Sequence, residues 1–180
     1  VEAEESDTKV YLYAEVDKAP EKVGALSEGT IQTGKSEVDG INAAIALQFP
    51  SQVGNVGIRY GVSFIDEEQA RKNLEREIKG FDVDAIAKVA RDAWNEALGK
   101  IEIKGGTDDD KQVFYTSLYR CFERPVCISE DGRYYSAYDG KVHDDEGSPF
   151  YVDDWIWDTY RGAHPLRSLL AADKEGYILN

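Results

Sequence analysis

The sequence predicts an α+β chain: short strands with polar turns first, as in a sandwich, and helices after them. Three observations predict it. Val56, Ile58, Tyr60, Val62 and Phe64 alternate along one face, the period of a strand. From Asp66 the apolar residues Ala70, Leu74 and Ile78 recur at a four-residue step, the period of a helix. Capping residues and glycines then stand at the ends of each later periodic stretch.

The elements follow in order. Residues 1–8 are acidic and polar and are expected to be frayed. Residues 10–16 alternate and read as a strand. Ala19, Pro20 and the glycines around Gly24, Gly29 and Gly34 read as turns. Residues 41–48 and 56–65 read as further strands, the second with one half-buried face. Asp66 caps a helix over residues 67–79, with acids in its first turn and Gly80 at its end. Asp82 caps the next, which carries Ile86, Val89, Ala90, Ala93, Trp94 and Leu98 on one face and stops at Gly99. These two helices look like a connector between larger bodies. Residues 101–103 look like a short strand. Thr107 or Asp108 caps a third helix, and Pro125 lies past its end. Residues 132–147, rich in Gly, Asp and Tyr, read as a loop or a hairpin. Residues 153–171 read as a fourth helix, in which Pro165 makes a kink or marks a new start.

Composition excludes several functions. The net charge is −14, and phosphate binding needs clustered Lys and Arg. Nucleic acid and anionic membrane surfaces are therefore disfavoured as partners, whereas a neutral glycan fits and a divalent cation would be attracted. No apolar run approaches the roughly 20 residues needed to span a bilayer. Cys121 and Cys127 form a disulfide only if their backbones lie close, and unpaired thiols are the preferred reading. The chain starts at Val1 and contains no Met. It opens without the basic and apolar regions of a secretory signal. Either a signal has been removed or the chain is an excised piece, and the polypeptide is expected to continue beyond Asn180.

The richest segment is residues 151–169, Y-V-D-D-W-I-W-D-T-Y-R-G-A-H-P-L-R-S-L. Flat apolar rings beside charged hydrogen-bonding groups are what sugar binding uses. Four further stretches accompany it in order: I-R-Y-G-V-S-F at 58–64, E-Q-A-R-K-N-L-E-R-E-I at 68–78, A-W-N-E-A-L-G-K-I at 93–101 and V-F-Y-T-S-L-Y-R at 113–120. Together with W-D-T-Y-R-G-A-H-P-L at 157–166, the set resembles glycoside hydrolase family 92, the bacterial calcium-dependent exo-acting α-mannosidases. The likeness runs from about Tyr11 to the end of the chain.

The resemblance implies the C-terminal strands of a β-sandwich, then a helical linker, then the first helices of an (α/α) barrel. In that scheme residues 1–65 are the sandwich portion, 66–106 the linker and 107–180 the start of the barrel domain. It also implies hydrolysis of terminal α-mannosides with inversion, in which a calcium ion binds sugar hydroxyls. Inversion needs a carboxylic acid and a carboxylate about 6.5–9.5 Å apart, one on each side of the sugar. The family's acid, base and main calcium-binding segment come later in the barrel, and nothing in this chain matches them. No catalytic residue and no metal ligand is therefore assigned. The calcium ligands are expected outside this chain, and the chain alone is expected to be inactive. The expected partners are a mannose-containing glycan and the remainder of the barrel domain, with no membrane span, and the expected location is secreted or periplasmic. A non-catalytic carbohydrate-binding module using the same residues is the alternative.

Trp157, Asp158 and Arg161 are the candidate substrate-binding residues. A carboxylate accepts from two vicinal hydroxyls, and by resemblance Asp158 points into the mannose pocket. On residue chemistry alone Asp158 and Arg161, three apart on a helix, can instead pair, or Arg161 can orient the sugar-binding carboxylate. Trp155 and Trp157 point to different sides of a helix, so at most one stacks on a pyranose, and Trp157 is chosen; core packing is the other reading. Asp153 and Asp154 read as caps. Asp154 and Asp158, four apart, repel unless a cation, an arginine or a sugar relieves them. His164 reads as a structural hydrogen-bonding residue at the kink, and His143 as solvated. Tyr134, Tyr135, Tyr138 and Tyr151 either line a sugar cleft or pack the loop. Asp108, Asp109 and Asp110 read as acids complementing a helix dipole rather than as a calcium site.

Overall fold

The chain is described from a computed structural model that covers residues 8–27 and 29–179. Residues 1–7, where a frayed opening is expected, lie outside the described residues. The fold is α+β. Five strands come first: β1 (Tyr11–Val16), β2 (Lys22–Ser27), β3 (Thr30–Thr33), β4 (Ala44–Gln48) and β5 (Ile58–Ser63). Helices α1 (Glu67–Glu77), α2 (Val83–Leu98) and α3 (Asp108–Glu123) follow. Four short strands come next: β6 (Val126–Cys127), β7 (Arg133–Ser136), β8 (Lys141–Asp144) and β9 (Tyr151–Val152). Helices α4 (Ile156–Thr159), α5 (Ala163–Leu170) and α6 (Ala172–Ile178) end the described chain.

All pairings are antiparallel. β1 pairs with β5 from Tyr11↔Ser63 to Val16↔Ile58, and β2 lies between β3 and β4. The β2–β3 hairpin occupies the stretch whose glycines read as turns. Gly29 does turn the chain at φ +78°, but Gly24 sits inside β2 opposite Thr33. A Cβ there would meet Ile31 Cγ2 at 3.0 Å, so this glycine marks close packing across strands rather than a bend.

Helix α1 lies on the sheet of β1 and β5, and Gly61 admits it. A Cβ on Gly61 would stand 2.4 Å from the Ala70 carbonyl oxygen and 2.8 Å from the Leu74 nitrogen. The buried face of β5 is thus Gly61 and Ser63, packed under Ala70 and Leu74. The alternating apolar face, expected to be half-buried, is the exposed one: Ile58, Tyr60, Val62 and Phe64 all face outward among the described residues. Period-2 alternation locates two faces but does not say which one a helix covers.

Polar side chains fasten α1 to the rest of the chain. Gln69, 1% exposed, donates to Asp131 Oδ2 (2.7 Å) and Asn73 Oδ1 (3.1 Å) and accepts from Arg133 Nη2 (2.9 Å). Asn73 donates to the Val62 carbonyl (2.9 Å) and Glu130 Oε2 (2.6 Å), while Glu130 Oε1 accepts from the Phe64 amide (3.0 Å). Residues 130–133, and so the β7–β8 hairpin after them, are tied to the strands through these amides. Gln69 and Asn73 of the E-Q-A-R-K-N motif have this structural role, while Arg71 pairs with Glu68 and Glu75 along the helix itself.

The helix ends follow their capping chemistry. Asp66 accepts from the Gln69 amide and Asp82 from the Ala85 amide. Thr107 and Asp110 form a capping box at α3, so Asp110 is committed to the helix end. Residues 101–103 make no strand among the described residues; the Ile101 carbonyl accepts from the Tyr115 hydroxyl (3.0 Å) instead. Cys121 and Cys127 are free thiols. The expected helix over 153–171 is broken: α4 is one turn, Gly162 precedes α5, and Pro165 falls in the first turn of α5. No intrahelical amide bond is lost at that position, so proline marks a new start there.

Two predictions follow from this packing. Gly61→Ala drives a methyl group into helix backbone that has no room to yield, so it destabilises by about 1–3 kcal/mol, the usual range for overpacking, in urea unfolding. The Thr107 amide and then the Thr107 hydroxyl hold the Asp110 carboxyl below its usual range. A carboxyl lowered by folding stabilises above its unfolded value and loses that effect as pH falls through the folded one. The melting temperature of the parent should therefore exceed that of Asp110→Asn at neutral pH, with the gap closing in acid.

Candidate functional site

Helix α3 and the β6–β9 pairing bring the acid- and tryptophan-rich segment to one place. β9 pairs with β6 through Val126↔Val152 and Cys127↔Tyr151. The chain then turns at Asp153, whose φ is +64°, into α4. Asp153 does not cap α4. Its Oδ1 accepts from the Trp155 indole N–H (2.7 Å), and its Oδ2 pairs with Arg124 Nη1 (3.0 Å). The Arg124 guanidinium also lies over the Trp155 ring, 5.7 Å from its centroid. Asp154 does not cap either: Oδ1 accepts from the Thr159 hydroxyl (3.1 Å) and Oδ2 faces His164 Nε2 (2.9 Å). The capping expectation fails because the helix starts at Ile156 after a left-handed turn, which takes both acids away from its first amides.

The three candidate residues stand on or beside this turn. Trp157 is 86% exposed, and its ring packs on no other aromatic among the described residues. Asp158 is exposed, and its carboxylate has no hydrogen bond or ion pair among the described residues. It lines a shallow cavity of about 250 Å³ with Arg120, Glu123, Arg124, Trp155 and Thr159. Arg161 does not pair with Asp158. Its Nε donates to the Tyr160 hydroxyl (2.6 Å), and its guanidinium lies over the Tyr160 ring at 5.4 Å. Trp155 is held by Asp153 and Arg124, while Trp157 is free.

A buried charged cluster lies behind the turn. His164 Nδ1 is 2.5 Å from Glu175 Oε1, and Arg167 Nε donates to Glu175 Oε2 (2.8 Å). Arg167 Nη1 also donates to the Cys121 and Arg124 carbonyls (3.2 Å each), at the C-terminal end of α3. His164 thus has the structural hydrogen-bonding role read for it. Arg167 and Glu175 escaped sequence reasoning. The available signal was His164 and Arg167 at i, i+3 on one side of a helix; Glu175 carried none, because it lies on a separate helix.

The tyrosines divide. Tyr134 stacks on Phe150 at 4.1 Å and 2°, with His143 at 5.5 Å on its ring, so it packs the hairpin. Tyr138 is 99% exposed. Tyr151 lines a groove of about 660 Å³ beside Tyr134 and Phe150. His143, expected to be solvated, is paired with Asp139 (3.0 Å), and this holds the Asp139 carboxyl below its usual range. Among the described residues no three His, Cys, Asp or Glu side chains converge on a point where a metal ion would fit. Calcium takes about six to eight oxygens, so these residues do not by themselves make a calcium site.

Residues 69–180 match the glycosyl hydrolase family 92 catalytic domain. The strand-then-helix architecture agrees with solved members of that class, and the chain belongs to glycosyl hydrolase family 92. Similar structures include a family 92 inverting mannosidase from Bacteroides thetaiotaomicron (36% identity, TM-score 0.73, covering 88% of this chain and 22% of that one). Another is the family 92 glycosyl hydrolase ccman5 (25% identity, TM-score 0.77, covering 92% and 22%). A fungal protein described as an uncharacterized secreted glycosidase, from Arthroderma benhamiae, is 34% identical over 130 residues, which are 68% of this chain and 16% of that protein. The chain therefore spans about a fifth of its structural relatives' length. No helix among the described residues is long and apolar enough to cross a membrane.

The commitments around α4 make a prediction. Arg124→Ala removes both the ion pair and the ring contact that hold Trp155, whereas Arg161→Ala touches only Tyr160. Quenching of tryptophan fluorescence by acrylamide should rise in the first variant and stay at the parent level in the second.

Proposed function

We propose that the protein to which this chain belongs is an inverting, exo-acting α-mannosidase that removes terminal α-linked mannose from glycans, and that this chain supplies part of the mannose-binding wall. The single observation that carries the reading is Asp158. It is the carboxylate of the α4 segment with no protein partner among the described residues, and it stands next to an uncovered tryptophan. An ionised carboxylate with free lone pairs accepts from two adjacent sugar hydroxyls. The Trp157 face offers an apolar surface for the C–H side of a pyranose. Arg161 contributes a guanidinium at the rim once it leaves Tyr160.

Proton transfer is assigned elsewhere. An inverting pair needs two carboxyl groups separated by about 6.5–9.5 Å with room for water between them. Asp153, Asp154 and Glu175 are each bound to a cation, a ring N–H or a hydroxyl. That leaves Asp158 alone in this segment, and the family resemblance implies that the acid and the base come from the remainder of the barrel domain. Calcium enters on the family resemblance, with ligands from outside this chain. A secreted or periplasmic location is the matching reading, supported by the word "secreted" in the name of the fungal relative.

The test uses the enzyme that contains this chain and an aryl α-mannoside. Hydrogen bonds to a charged group contribute about 1.5–3 kcal/mol. Asp158→Ala should therefore lower kcat/KM at least about tenfold, with Trp157→Ala raising KM. The 180-residue chain alone should show no turnover. Unchanged kcat/KM in Asp158→Ala, or hydrolysis by the isolated chain, would contradict the proposal.

A further inference from the structure

The α4 turn has little to hold it in place. It is four residues long, and no side chain caps its N-terminus. A single isolated turn does not persist in water. Yet it carries Trp157 and Asp158, neither of which is fixed by a side-chain partner of its own among the described residues. At its start the turn is held through Trp155 by Asp153 and Arg124; its other link to the body of the protein is Asp154, which holds the Thr159 hydroxyl with one oxygen and faces His164 with the other.

His164 is in turn clamped from behind. It is 8% exposed, Arg167 is 4% and Glu175 is 2%. His164 Nε2 faces Asp154 Oδ2, and Nδ1 faces both Glu175 Oε1 and Arg167 Nη2, the latter at 3.0 Å. The Glu175 carboxylate reaches the imidazole with one oxygen and the Arg167 guanidinium with the other, and so holds the two together. Arg167 anchors the set to the last carbonyls of α3. Burying charges in this way is a poor means of gaining stability, since desolvation offsets much of the attraction. It does impose direction, because hydrogen bonds to charged groups hold particular atoms at particular angles.

We propose that His164 is a positioning residue: gripped by Glu175 and Arg167, it holds Asp154 and through it the α4 turn that presents Trp157 and Asp158. The functional meaning of this clamp rests on the sugar-facing reading of α4. The test is run without sugar, so that failure of the clamp and failure of that reading are told apart.

The experiment is hydrogen-exchange mass spectrometry on the enzyme that contains this chain and on its variants. The α4 amides of Asp158, Thr159 and Tyr160 bond to the Trp155 and Ile156 carbonyls and report on the turn. Helix α3 is the internal control. His164→Gln reaches one carboxylate but not both. It should speed exchange in the α4 peptide by about tenfold or more and leave α3 as in the parent. Asp154→Ala breaks the outer link without touching the buried three, and should give the same local effect. If His164→Gln loosens α3 as well, Asp154→Ala decides: faster α4 exchange with α3 unchanged supports the clamp. Parent-level α4 exchange in Asp154→Ala, or in His164→Gln with α3 intact, overturns it.

Discussion

Polar and charged groups taken out of water must find partners inside, and that requirement shapes this chain as much as its apolar core does. Among the described residues the buried apolar side chains are mostly small or few: Ala25, Ile65, Ala70, Leu74, Leu118 and Ala171. Ser63, Gln69, Asn73, His164, Arg167 and Glu175 are buried beside them. Each buried side-chain nitrogen or oxygen among the described residues has a partner. An amide or ion pair in such a setting contributes modest net stability, but leaving it unpaired is expensive. The structure is therefore organised around two satisfied clusters. One ties α1 and β5 to residues 130–133, and the other ties α5 and α6 to the end of α3.

The candidate site lies on the outer side of the second cluster. Asp153 and Asp154 are adjacent in sequence, yet one is drawn to Arg124 and Trp155 and the other to His164 and Thr159. Once these neighbours are committed, Asp158 is left with an open carboxylate. The same logic separates the two tryptophans: Trp155 is part of the scaffold and Trp157 is exposed. A segment that is uniformly rich in recognition-type side chains thus resolves into supporting residues and presenting ones.

How much of this was legible depended on whether the deciding signal was local. Helices α1, α2 and α3 were readable because Asp66, Asp82 and Thr107 bond to amides within the next turn. The strand-then-helix order was readable from period alone. The β2–β3 hairpin was not, because Gly24 looks like a turn until the neighbouring strand is in place. The buried face of β5 was misread for a related reason: Gly61 matters only through the helix that lies on it. The break before α5 was half legible, since Pro165 allowed either a kink or a new start and tertiary partners made the choice. Candidate residues Trp157, Asp158 and Arg161 were nameable from sequence and family resemblance. Their supports were not, because Glu175 reaches His164 from another helix.

Sugar recognition by this chain requires the α4 turn to face the sugar. A crystal structure of the enzyme containing this chain, bound to a mannose-shaped inhibitor, tests that. Both Asp158 carboxylate oxygens should lie within hydrogen-bonding distance of adjacent hydroxyls, with the Trp157 ring at the edge of the same pocket. An inhibitor bound elsewhere, with Asp158 turned toward protein or open solvent, would contradict it.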